Sequence, residues 1–330
     1  MSGLCASTKV RFHRSTAKQT FLYIKCVERN DEHTIRSGYL AVGDGHELFY
    51  ELWGNPNGHD VLFFHGGPGY RYTQADKQLF DPKIHRVTFY DQRGAGQSRY
   101  KDPFKSNNTG KLIADVDKLR QHLDIRQASL VGGSWGSTMA LLHAMTNTHL
   151  VNSIVLRAFF PANKECIEII ADKSNAGIVP DAYMKFINLV PRESRERAIA
   201  YYSRHLRSGT PAKQAALATA WQDLAMALGR IEAGTEDPDD HILHAAMTAY
   251  YAHNLCFLPD NYLYENAGRF AGMPIHIVHG TRDLLCPVSF ARKFAELVPG
   301  TVLEEVDAGH SLQDQSMVNA LKSSIEAAID

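Results

Sequence analysis

The apolar positions of this 330-residue chain follow two rhythms. Between Gly38 and Leu156, short apolar runs alternate with stretches at helical spacing. Tyr39–Val42 and Glu47–Trp53 read as strands joined by the Gly43-Asp44-Gly45 turn, a hairpin signal. Asn55-Pro56-Asn57-Gly58 forces a loop. Val61–Phe64, Val87–Tyr90 and Ser129–Val131 are short and largely apolar, the character of strands covered on both faces. Leu112, Val116, Leu119 and Leu123 predict a helix before the third of these strands. Met139–Met145 predicts another helix and Ile154–Leu156 another strand. The alternation predicts an α/β class fold, a mostly parallel sheet with helices on both faces.

Around Phe159 the rhythm changes. Residues to about 268 form helical stretches rich in Ala, Tyr and Arg, with no convincing strand. Strand-like runs return at Ile275–Val278 and Val302–Val306, with helices near Ser289–Leu297 and at the C-terminus. An all-helical block set inside an α/β pattern reads as an inserted cap. The predicted organisation is an extension over residues 1–37, a core made of 38–158 and 269–330, and a helical cap over 159–268. The first 27 residues lack Asp and Glu but carry Lys9, Arg11, Arg14, Lys18 and Lys25. Such a start can be an organelle transit peptide. A solvated extension, or an edge strand around Phe21–Val27, is the reading we favour.

Composition narrows the classes. Hydrophobic residues make up 44% of the chain and charged residues 22%, ample material for a core. The formal charge of −1 offers no long-range attraction for nucleic acid or an anionic membrane. No apolar run approaches the roughly 18 residues of a membrane span. Five cysteines without a CxxC pair read as free thiols in a reducing compartment, and the sixteen histidines show no metal spacing.

The chemistry concentrates in four segments. Gly132-Gly133-Ser134-Trp135-Gly136 holds a Gly-x-Ser-x-Gly pattern between a predicted strand and a predicted helix, the context that gives the pattern meaning. A sharp turn there exposes Ser134 Oγ at a helix N-terminus, whose dipole favours developing negative charge. A serine hydroxyl needs a base to take its proton. The partners are expected in the order Ser, acid, His, and two later strand ends supply them: Asp283 after Ile277–Gly280, and His310 after Val302–Val306. Oxyanion donors are expected from the N–H groups of Trp135 and of Gly67, with Gly66 as fallback, in the His65-Gly66-Gly67-Pro68-Gly69 loop. Loss of one such donor raises a barrier by about 3 to 4 kcal/mol. No P-loop lysine follows this loop, which argues against phosphate binding.

Together these residues carry a specific likeness. His65–Gly69, Asp91–Ser98, Asn107-Asn108-Thr109, Gly132–Thr138, Val278-His279-Gly280, Cys286-Pro287 and Asp307–Ser311 resemble the proline iminopeptidase family of α/β-hydrolases over roughly residues 38–315. The resemblance implies an α/β-hydrolase sheet with a helical cap, a cytoplasmic setting, and no metal or organic cofactor. It implies Ser134 as nucleophile, His310 as acid/base and Asp283 as its orienting carboxylate. Family members hold the substrate's ammonium with two cap glutamates, whose positions here fall on Ala225 and Thr248. Of the apolar residues expected around the proline ring, Phe160 and Cys286 have counterparts, while Ala252 replaces a bulky aromatic. Asp223, two positions from Ala225 on a helix, is expected to face another way.

The function expected is acyl transfer by a serine hydrolase on a small amide or ester, such as release of N-terminal proline from short peptides. One alternative is an esterase, lactonase or amidase acting on a metabolite without an ammonium group, which the absent glutamates favour. Another is a non-catalytic binding protein on the same fold, against which the complete Ser, Asp, His and glycine-loop set argues.

Overall fold

The computed structural model describes residues 32–231 and 238–329. Among the described residues nine strands form one sheet: β1 (Thr34–Gly43), β2 (His46–Gly54), β3 (His59–Phe64), β4 (His85–Tyr90), β5 (Arg99–Tyr100), β6 (Ala128–Gly133), β7 (Val151–Arg157), β8 (Ile275–Gly280) and β9 (Val302–Val306). The order is β1-β2-β4-β3-β6-β7-β8-β9, with β5 paired to β2. β1, β2 and β4 pair antiparallel at one edge, and everything from β4 to β9 is parallel. Apart from the edge strand β9, the parallel strands are largely buried on both faces, which explains their apolar runs: Val61 to Phe64 and Val87 to Tyr90 are at most 4% exposed.

The strands extend past those runs. β1 begins at Thr34 rather than Tyr39, and β3 and β4 gain the polar pairs His59-Asp60 and His85-Arg86 at their starts. His59 is exposed and His85 buried, while Asp60 and Arg86, half-buried register partners, form a two-pronged ion pair at 2.6 Å. β5 has two exposed residues and no apolar signal in the sequence. The Phe21–Val27 stretch lies outside the described residues.

Leu112, Val116, Leu119 and Leu123 all turn into the core from the Thr109–His122 helix and its C-cap, and Asn108 caps its N-terminus by accepting from Lys111 N–H. Between β7 and β8 the described residues form helices and loops alone, including Pro211–Gly229 and Pro238–His253. The first of these longer helices packs its apolar residues with Tyr183, Phe186 and Tyr202 into a cluster separate from the two that flank the sheet. The sheet therefore presents its C-terminal strand ends to a helical layer with a core of its own.

Candidate active site

β6 ends in Gly133, and the Trp135–Thr146 helix starts one residue after Ser134. Ser134 sits at φ 56°, ψ −126°, in the left-handed half of backbone space that costs a side chain of order 1–3 kcal/mol. The turn holds because its neighbours come close: a Cβ on Gly136 would lie 1.9 Å from the Phe64 carbonyl, and one on Gly132 would lie 2.4 Å from the Gly136 carbonyl. The Ser134 carbonyl accepts from the N–H and Oγ of Ser137, at 2.8 and 2.6 Å. Its side chain opens into a pocket under the helical layer.

Asp283 and His310 meet behind that pocket. His310 Nδ1 stands 2.6 Å from Asp283 Oδ2, and both residues are buried. Asp283 Oδ1 accepts from the N–H groups of Leu285 (3.0 Å) and Cys286 (2.9 Å), so three bonds fix the carboxylate. His279 stands behind it: its Nδ1 accepts from Phe159 N–H and its Nε2 donates to the Cys286 carbonyl at 2.7 Å. Burial holds His279 below the usual histidine range, so it stays neutral and braces the acid loop. For His310, burial disfavours the charged form, but Asp283 and Cys286 outweigh it and raise its pKa above the ordinary histidine value. The Cys286 share requires a thiolate. The Cys286 thiol is itself held well above its ordinary value, by its contact with Cys166 and by burial, so near neutrality Asp283 acts alone.

The structure does not close the third link. Among the described residues Ser134 Oγ makes no hydrogen bond to His310, and the imidazole stands instead beside Cys286, whose Sγ lies within 4.8 Å of it and of the carboxylate. Such contacts are often long before substrate arrives.

The glycine loop after β3 is anchored by a chain of hydrogen bonds that the sequence did not announce. His65 Nδ1 donates to the Gly66 carbonyl at 2.7 Å, and its Nε2 accepts from Gln92 N–H at 3.0 Å. Burial pushes its pKa down to about 4, so it keeps this neutral tautomer. Gln92 Oε1 in turn accepts from Trp135 Nε1 at 3.0 Å, tying the glycine loop to the start of the helix after Ser134. Among the described residues, the backbone N–H groups of Gly67 and Trp135 have no protein acceptor, and neither does that of Gly66.

The pocket above Ser134 collects Gly67, Phe160, Thr248, Ala252 and Cys286, together with Trp221, Ala225, Tyr251 and several aliphatic residues. Among the described residues no Asp, Glu, Lys or Arg lines it. Thr248 Oγ1 donates locally, near the Pro68 carbonyl (3.0 Å) and the His244 carbonyl (2.9 Å). Asp223 turns outward and pairs with Lys185 at 3.3 Å. Trp221 and Tyr251, which the sequence does not single out, are part of the wall; Tyr251 is fixed there by donating to Asn107 Oδ1 at 2.7 Å. Their position in an Ala- and aromatic-rich helical block offered no signal to single them out.

Comparison with known proteins supplies the family. Residues 61–316 match the family described as the alpha/beta hydrolase fold. A proline iminopeptidase of Arabidopsis thaliana is 34% identical over 287 residues, covering 84% of this chain and 76% of that protein. One of Xylella fastidiosa is 34% identical over 292 residues, covering 86% and 93%. In fold, the chain is similar to the crystal structure of a proline iminopeptidase-related protein from Thermus thermophilus, with a TM-score of 0.58 at 22% identity, covering 89% and 98%. Sequence and fold agree: the chain is a hydrolase belonging to the proline iminopeptidase family of the α/β-hydrolases.

Proposed function

We propose that the chain hydrolyses small amides or esters by acyl transfer, with Ser134 as nucleophile. His310 takes the hydroxyl proton as Ser134 attacks the carbonyl, and Asp283 fixes the imidazole and stabilises its charged form. The N–H groups of Gly67 and Trp135 receive the oxyanion. His310 then protonates the leaving group and activates the water that releases the acyl group. No step calls for a metal or organic cofactor. The observation that carries this reading is the combination at one pocket: a strained serine at a strand-to-helix turn, two unused backbone donors beside it, and a buried imidazole hydrogen-bonded to a carboxylate. The missing Ser134–His310 bond forms, on this reading, when an acyl group enters and the His310 ring leaves Cys286.

Release of N-terminal proline from short peptides is the first reading, and likeness to proteins named proline iminopeptidase supports it. The segment 159–268 acts as a cap that admits small substrates only. An uncharged acyl ester, lactone or amide is the second reading, and a specific observation supports it: Ala225 and Thr248 line the pocket where an ammonium would want carboxylates. The buried free thiols Cys166, Cys256 and Cys286 suit a reducing cytoplasm. The test is turnover of a prolyl naphthylamide beside N-acetylated prolyl and simple acyl esters, by wild type and Ser134→Ala. Turnover by wild type and its loss in the folded variant support the mechanism; activity in Ser134→Ala overturns it. The preferred substrate decides between the two readings.

A further inference from the structure

We infer that Arg157, which touches no substrate, is the positioning residue that sets the His310 loop against the Ser134 turn. The inference rests on the roles proposed for Ser134 and His310. Arg157 is the last residue of β7 and meets both partners with different groups. Its backbone carbonyl accepts Ser134 N–H at 2.9 Å, and its guanidinium Nη1 donates to the His310 carbonyl. The guanidinium lies flat against the residue before the serine: a Cβ on Gly133 would be 2.4 Å from Nη2. One side chain thus spans the gap between the two loops whose separation decides whether the Ser134–His310 bond can close.

The other side of the His310 loop is held from the helical layer. His310 N–H donates to the Gly229 carbonyl at 2.7 Å, and Leu284 N–H to the Leu228 carbonyl at 2.9 Å. Arg157 supplies the restraint on the sheet side, so the His310 backbone is held from two directions. The carboxylates of Asp76 and Asp283 attract the guanidinium. Asp76 is itself fixed by accepting from Thr73 N–H (2.7 Å) and Oγ1 (2.8 Å). A charge drawn largely out of water is a weak source of stability, and an apolar side chain of similar volume often does as well. Orientation is what the guanidinium adds, and a misplacement of about 1 Å between reacting groups can cost about 10²-fold in rate.

The test compares wild type, Arg157→Met, Arg157→Lys and the double variant Asp76→Asn/Arg157→Met, which removes both charges so that neither is stranded. Each is assayed on whichever ester or amide the wild type turns over, for kcat and KM separately, and for its rate of inactivation by a fluorophosphonate; thermal denaturation reports the fold. The expected result is a kcat about 100-fold lower in the variants without the guanidinium. KM should stay within about threefold, and inactivation should slow in parallel. Arg157→Lys, which keeps the charge and one donor, should recover part of the loss. A general loss of structure would not spare KM, nor be relieved by lysine. Wild-type kcat in any folded variant lacking the guanidinium, or a loss confined to KM, overturns the inference. If both methionine variants fail to fold, Arg157→Lys decides: reduced kcat at unchanged KM supports the role, and wild-type kcat overturns it. Ser134→Ala is run alongside. Its retained turnover would sink the parent mechanism, whereas its loss together with unaffected Arg157 variants would sink this inference alone.

Discussion

Replacement of Asp283 by Asn probes the account at a single proton. The carboxylate is 1% exposed and holds His310 Nδ1 at 2.6 Å through Oδ2 while Oδ1 takes two backbone N–H groups. Asparagine can keep those two bonds through its carbonyl oxygen, so the loop from Asp283 to Cys286 should survive. Its amide nitrogen then faces Nδ1 as a donor. His310 must answer with an unprotonated Nδ1, which moves its proton to Nε2, the atom that has to accept one from Ser134. A carboxylate-to-amide change with this consequence in a Ser-His-Asp enzyme lowers kcat about 10⁴-fold. At 1.36 kcal/mol per tenfold this is about 5 kcal/mol of barrier. Steady-state kcat on the best substrate, with active sites counted by fluorophosphonate titration, reads the effect. The linkage sign supplies a second measure. A histidine whose folded pKa lies above its unfolded value stabilises the fold below about pH 6.5, and that contribution fades as pH rises through the folded value. Asp283→Asn should remove this contribution, so its stability relative to wild type should be poorest at pH 6 and recover at alkaline pH. A kcat within tenfold of wild type would refute the reasoning.

Three further outcomes follow from the same geometry. Because Asp283 raises His310 above the ordinary 6.5, kcat/KM should still be climbing with pH above neutrality; a profile already flat below pH 6.5 would contradict this. Ala225→Glu places a carboxylate in the pocket wall and should raise the preference for a free-amine prolyl substrate over its N-acetyl counterpart about ten- to a hundredfold, the worth of a charge-assisted hydrogen bond of about 1.5–3 kcal/mol; an unchanged ratio of kcat/KM values would show that this wall does not meet the amine. Asp115→Ala leaves Arg93, whose guanidinium is 1% exposed and bonds the Asp115 carboxylate at 2.6 and 2.7 Å, with only the Asp44 carboxylate at 3.5 Å as counter-charge, and should cost about 3 kcal/mol in urea denaturation; an unshifted midpoint would remove that pair from the fold's supports.

What the sequence made legible follows what has a side-chain signature. Strands buried on both faces advertise themselves as apolar runs, so Val61–Phe64 and Val87–Tyr90 were readable, but their polar starts and the two-residue β5 were not. Ser134 was readable because the glycines that permit its backbone angles must surround it, and Asp283 and His310 because each follows a recognisable strand. The residues expected at the substrate wall, Phe160, Thr248, Ala252 and Cys286, came from family likeness, and one pocket gathers them. Illegible were the bonds that set distances: the Arg157 guanidinium to the His310 carbonyl, His310 N–H to Gly229, and Trp135 through Gln92 to His65. These join a backbone group or a polar side chain to a segment far along the chain, and nothing in local spacing encodes such a partner.

One experiment reaches the core of the account. The native protein is treated with a fluorophosphonate, digested, and read by mass spectrometry for the modified residue. A single adduct on the peptide carrying Ser134, formed in step with loss of turnover and prevented by Ser134→Ala, is the expected result. Hydrolysis that continues in a protein labelled there, or an adduct on another residue that accounts for the loss, would contradict it.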